Sequence, residues 1–102
     1  MWRQGDVLIE RVQDVPPFTR RVEGTVLARG ELSGHAHRVA EAEEVELYEG
    51  PGETLYLRVL GTKATVVHDE HKAITLTRGA YVVRKQREYA PERYGRLRYI
   101  SD

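Results

Sequence analysis

All four histidines of this chain fall in two short clusters: His35 and His37 in G-H-A-H-R-V, and His68 and His71 in V-V-H-D-E-H-K. Imidazole titrates near pH 6.5, so protonated and neutral rings coexist at neutral pH and can serve as acid and base in one site. Histidines together with a lysine suit metal-free cleavage of RNA. One ring takes the proton from a 2′-hydroxyl, which attacks the adjacent phosphorus. A second ring, protonated, gives its proton to the departing 5′-oxygen. A lysine or arginine stabilises the charge that develops on the phosphoryl oxygens. The product is a 2′,3′-cyclic phosphate. Lys72 follows His71 directly, and Asp69 and Glu70 lie where they can orient neighbouring imidazoles.

Strand geometry brings further residues to the same place. Residues two apart on a strand share a face, so His35 and His37 point with Val39, and Ala36 and Arg38 point away. Along Tyr81 to Tyr89, Tyr81 and Val83 begin an apolar face that Lys85, Arg87 and Tyr89 continue. A core face that turns basic and aromatic near a strand end is expected to open onto a barrel mouth or cleft. Aromatic side chains there can stack on unpaired bases while cations hold phosphates.

Two other chemistries use the same residues. His35-x-His37, followed after three residues by Glu41, resembles the first metal motif of cupin barrels. In those proteins two histidines and a carboxylate, joined by a later histidine, bind a divalent metal. The spacing departs from that pattern, since only four residues separate Gly30 from His35 where five should intervene, and no second cupin motif surrounds His68. The other alternative is an anion-binding module without chemistry, in which the histidines supply hydrogen bonds. Serine nucleophiles are disfavoured, because neither Ser33 nor Ser101 sits in a nucleophile-elbow pattern. The nine glycines form no phosphate loop or dinucleotide fingerprint.

The elements that position these residues read as strands. Leu55, Leu57 and Val59 alternate with Thr54, Tyr56 and Arg58, and Val45 and Leu47 alternate with acidic residues and Tyr48. Val26 with Ala28 and Ile74 with Leu76 repeat the period in shorter form. Asp6 to Val12 is apolar on both faces and is expected deep in a sheet. Turn signals separate the runs at Val15-Pro16-Pro17, Ser33-Gly34, Gly50-Pro51-Gly52, Gly61-Thr62-Lys63, Arg78-Gly79 and Ala90-Pro91. Pro91 to Gly95 fits a helical turn. The pattern predicts an all-β fold over residues 1–102, a small closed or partly open antiparallel barrel of about seven or eight short strands.

With 102 residues, 40% hydrophobic and 31% charged, the composition is that of one globular domain with a modest core. The absence of cysteine excludes disulfides and thiolate chemistry. No apolar run reaches a membrane span, no signal peptide is evident, and a cytoplasmic protein is expected. Zero net charge argues against a protein that coats duplex DNA. The charge is nevertheless separated: residues 41–53 hold six acidic side chains and no basic one, and residues 78–98 hold seven basic ones against Glu88 and Glu92.

Taken together, G-H-A-H-R-V, H-D-E-H-K-A-I-T-L and R-G-A-Y-V-V-R-K-Q-R-E-Y resemble the small β-barrel ring nucleases that degrade cyclic oligoadenylates, the second messengers of type III CRISPR defence. The resemblance spans roughly residues 4–91, and Thr77 stands where that family leads one to expect a proline. It implies a metal-independent ribonuclease without cofactor, acting on cyclic oligonucleotides as a homodimer whose two-fold axis matches a two-fold symmetric ring. It implies His35, His37, His68 and His71 as catalytic residues and Lys72 as charge stabiliser. Arg38, Lys85, Arg87 and Tyr89 then bind substrate.

Overall fold

A computed structural model describes residues 1–29, 35–52 and 54–85. Among these the chain is almost entirely antiparallel strand: β1 (Trp2–Gln4), β2 (Val7–Val12), β3 (Arg20–Val22), β4 (Val26–Arg29), β5 (Ala36–Val39), β6 (Val45–Glu49), β7 (Leu55–His68) and β8 (His71–Lys85), with one 3₁₀ turn at Ala42–Glu44. The main sheet runs β1-β2-β8-β7-β5-β4, and β6 pairs with both β7 and β3. It curls into a half-barrel, so of the two expected forms the partly open one is observed. Lys85 Nζ donates to the Arg29 carbonyl at 3.1 Å, joining the end of β8 to the edge strand β4.

The core follows the two-residue period. Val7 and Ile9 of β2, Leu47 of β6, Leu57, Val59, Ala64 and Val66 of β7, and Leu76, Tyr81 and Val83 of β8 pack into one apolar cluster. Several expectations shift. Leu27 is the buried residue of β4, and Val26 and Ala28 are half-buried. Ala80 and Val82 are buried opposite Tyr81 and Val83, so β8 is covered on both faces there. Trp2–Gln4 and Arg20–Val22, too short to show a period, are strands as well.

The largest correction concerns two expected turns. Gly61-Thr62-Lys63 and Arg78-Gly79 lie inside β7 and β8, which run for 14 and 15 residues. These glycines serve an irregularity rather than a reversal. Val59 pairs with Gly79 and Lys63 with Thr77, so Leu60, Gly61 and Thr62 face Arg78 alone. A second irregularity lies near the hairpin tip, where Val66 pairs with Ile74 and His68 with His71. Val67 there opposes both Lys72 and Ala73, one extra residue on β8. The expected elements at Ser33-Gly34, Ala90-Pro91 and Pro91 to Gly95 lie outside the described residues.

Candidate functional site

The hairpin-tip irregularity decides which way His71 points. Cross-strand partners project to the same face, and Val66 and Ile74 both face inward. Without an extra residue, strand alternation would turn His71 away from Ile74's partner face. The bulge reverses that, so His71 and its partner His68 project on the core side with Val66. His37 reaches the same space from β5, beside Val39, and is buried at 5% exposure. His35 precedes β5 and is one-third exposed.

Four imidazoles thus converge. Ring centroids are 4.2 Å apart for His37 and His68, 4.6 Å for His68 and His71, 5.8 Å for His35 and His68, and 6.0 Å for His37 and His71. His68 lies at the centre of the group. Carboxylates border it: Asp69 and Glu70 oxygens lie 3.6 and 3.7 Å from the two ring nitrogens of His35, and Asp6 Oδ1 lies 3.7 Å from His37 Nε2.

Gln4 holds this arrangement from beneath. It is 2% exposed, and with His37 it is one of two buried polar residues among the described ones. Its Nε2 donates to the carbonyls of Val66 at 3.1 Å and Lys72 at 2.8 Å. With the amide nitrogen so engaged, Oε1 faces His37 Nδ1 at 2.8 Å and can only accept. His37 is therefore protonated on Nδ1 and carries its lone pair on Nε2. His68 has the opposite arrangement, since its Nδ1 accepts the backbone N–H of Glu70 at 3.0 Å. In its neutral form His68 carries its proton on Nε2. Burial pushes the His37 imidazole down to about 4; His68 adds to this, Asp6 opposes it, and His71 and Lys85 act with the burial. His37 is neutral throughout the physiological range.

The remaining expected site residues divide. Lys85 is near enough to act on the charge of His37. Arg38 is exposed on the face of β5 opposite His37 and Val39, because strand alternation turns it outward. Lys72 reaches the site through its carbonyl oxygen, while its residue is exposed. Arg87 and Tyr89 lie outside the described residues.

Glu41, the carboxylate of the cupin-like reading, is engaged elsewhere. Its two oxygens accept from the Thr65 amide at 2.6 Å and the Thr65 hydroxyl at 2.7 Å. Those donors, the amide first, hold its carboxyl below the usual carboxylate range. Thr65 lies between the fully buried Ala64 and Val66, on the opposite face of β7 from His68. The His-x-His-x₃-Glu spacing therefore does not build a common site. Among the described residues, no group of three or more histidine, aspartate or glutamate side chains is arranged to hold a metal ion.

Gln4 and Asp6 escape sequence reasoning because β1 has three residues and no readable period. The one available signal is Gly5, which with Asp6 forms the two-residue turn between Gln4 and Val7. Gly5 has φ +62°, the left-handed conformation that the first central residue of a type II′ hairpin turn requires. A Cβ at Gly5 would lie 2.8 Å from His71 Nε2, so this turn packs against the imidazole cluster.

An open groove of about 510 Å³ lies instead at the mid-strand irregularity, between Asp14, Arg58, Leu60 and Arg78. No helix among the described residues is long and apolar enough to cross a membrane.

Residues 3–86 match a domain of unknown function, DUF8820. The chain belongs to the DUF8820 family. The match takes in β2 to β8, all of β1 but Trp2, and every imidazole of the cluster, so the histidine site is part of the DUF8820 domain. No curated protein and no solved structure matches this DUF8820 chain.

Proposed function

We propose that the histidine cluster is the active site of a metal-independent ribonuclease that cleaves RNA-like phosphodiesters, with cyclic oligoadenylates as substrates. The observation that carries this reading is the 2.8 Å contact between His37 Nδ1 and Oε1 of Gln4, whose Nε2 is spent on two carbonyls; it implies a neutral ring with Nδ1–H held by Gln4 and the lone pair on Nε2. Nδ1 faces the buried amide of Gln4, and the basic Nε2 lies 3.7 Å from the carboxylate of Asp6, whose side chain is about half exposed.

His37 Nε2 takes the proton of the 2′-hydroxyl, and O2′ forms a bond to the adjacent phosphorus. The P–O5′ bond breaks, and O5′ takes a proton from His35. His35 suits the acid role because, once protonated, it has Asp69 and Glu70 as ion-pair partners. His68, between them, donates Nε2–H to a phosphoryl oxygen, and Lys85 balances the charge that develops there. His71 closes the outer side of the cluster. The products are a 2′,3′-cyclic phosphate and a 5′-hydroxyl. Cyclic oligoadenylate as the substrate, and a homodimer presenting two such clusters to a two-fold symmetric ring, rest on the resemblance of the three sequence motifs.

The test is incubation of the purified protein with cyclic tetra-adenylate in excess EDTA, with products resolved by chromatography. Linear fragments ending in 2′,3′-cyclic phosphate are expected. Cleavage that requires an added divalent metal would overturn the metal-free mechanism. No cleavage of cyclic or linear RNA under either condition would overturn the nuclease reading.

A further inference from the structure

We infer that Gln4 is the positioning residue of this site: it selects the His37 tautomer that can act as a base and locks that ring to the backbone distortion that orients His71. The inference rests on the acid–base reading for its functional meaning, but the tautomer itself is a property of the protein that can be measured without substrate.

The bulge leaves Val66 and Lys72 near the point where the β7–β8 ladder breaks, and their carbonyls are the two oxygens that Gln4 Nε2 reaches. Those bonds consume both N–H donors of the amide. The third bond of the same side chain, from His37 Nδ1–H to Oε1, follows because only the acceptor end is left. One side chain from β1 thus ties together β5 at His37, β7 at Val66 two residues before His68, and β8 at Lys72 beside His71. A residue that merely plugged the broken ladder would have no reason to spend its remaining acceptor on an imidazole. The other charged and titratable groups facing His37 are Asp6 from the β1–β2 turn, His68 from β7, and His71 and Lys85 from β8. Asp6 addresses Nε2 rather than Nδ1. The hydrogen-bond partner of that nitrogen is Gln4 Oε1 at 2.8 Å, and it sets the state of Nδ1.

Two substitutions separate positioning from plugging. Gln4→Met removes both functions, leaving His37 free to take its proton on Nε2. Gln4→Glu keeps an acceptor at Nδ1 but brings a negative charge, which favours the imidazolium. The experiment is nitrogen NMR of the histidine rings across a pH titration, on wild type and both variants, beside kcat for the cleavage reaction. In wild type the expected result is a His37 protonated on Nδ1 and bare on Nε2 from pH 8 to pH 5. Gln4→Met is expected to populate the Nε2–H form and to lower kcat by roughly 10- to 100-fold, by analogy with the cost of losing the outer-shell partner that orients a metal-ligating histidine. Gln4→Glu is expected to move the His37 titration upward by at least one pH unit.

A wild-type His37 found protonated on Nε2 would overturn the inference before any variant is made. So would an unchanged His37 tautomer in a folded Gln4→Met, or an unchanged His37 titration in a folded Gln4→Glu. If the tautomer behaves as expected and cyclic tetra-adenylate is not cleaved, the nuclease reading fails and the positioning role stands.

Discussion

The same two strands, β7 and β8, are interrupted twice, and the two interruptions are resolved in opposite ways. Near the hairpin tip, the carbonyls of Val66 and Lys72 are satisfied from inside by the neutral, buried amide of Gln4. At mid-strand, the carbonyl of Arg78 accepts from the Arg11 guanidinium at 2.9 and 3.3 Å, and that of Gly61 accepts from Arg78 Nε at 3.4 Å. Cations do the work there, from the solvent side, and the result is an open groove with Leu60 exposed. A buried acceptor must be satisfied without adding an unpaired charge, which selects an amide. Water removes that constraint at the surface. A break in the ladder therefore becomes a candidate reaction centre where its repair is buried and neutral, because there a neighbouring imidazole is held in one tautomer by a partner that water does not reach.

Substitutions at the two places should differ in kind. The largest effect is expected at the tip: His37→Ala or His35→Ala should lower kcat by roughly 100- to 10,000-fold, the range for losing a general acid or base, with the circular dichroism spectrum retained. Wild-type turnover in either would remove that residue from the mechanism. In wild type the acidic limb of the rate profile should fall near pH 4, where His37 takes its proton, and not near the 6.5 of a free imidazole. A limb near 6.5 would assign the base to another ring.

The second effect is on stability. Below about pH 6.5 the unfolded chain protonates residue 37, whereas the folded chain does not until about pH 4. The stabilisation is complete above the first value, is lost as pH falls between them, and is constant below. The integrated loss is about 3 kcal/mol. Urea unfolding of wild type and His37→Gln at pH 7 and pH 4 checks it, with the variant losing less on acidification.

Mid-strand changes should spare the chemistry. Gly79 has φ +147°, and a Cβ there would run into the Arg11 guanidinium. Gly79→Ala is expected to cost about 1–3 kcal/mol by thermal unfolding with kcat unchanged in the folded fraction. A matching fall in kcat would show that the two irregularities are coupled. The smallest effect is expected for Arg58→Ala. It removes the ion pair with Asp14 at 3.0 Å and the stacking on Tyr48, with both charges near solvent. The stability change should stay within about 1 kcal/mol.

These differences also mark what a sequence can tell. The all-β architecture was legible because Leu55, Leu57 and Val59 carry an unbroken two-residue period over a buried face. The inward turn of His37 was legible for the same reason, through Val39. The direction of His68 was not, because Val66 and Val67 are equally apolar, and that of His71 depends on an extra residue that alternation cannot reveal. Gly61 and Gly79 read as turns because glycine marks left-handed or crowded backbone equally in a reversal and in a bulge. Gln4 left no trace, since its partner carbonyls belong to backbone and have no sequence signature. Glu41 misled for a related reason: spacing counts residues along the chain, and Thr65, the residue that engages it, lies 24 positions away.

The three bonds of Gln4 span sequence separations of 62, 68 and 33 residues, whereas His68 and His71 are joined by a two-residue reversal. Contacts that close long loops form late, and those across short ones form early. By this rule the imidazole pair at the hairpin tip is expected to form before His37 reaches Gln4. On refolding, β-sheet signal should return first, and the Nδ1-protonated state of His37 should follow only when the amino-terminal hairpin docks, so the four-imidazole cluster reaches its final protonation pattern as the last step of assembly.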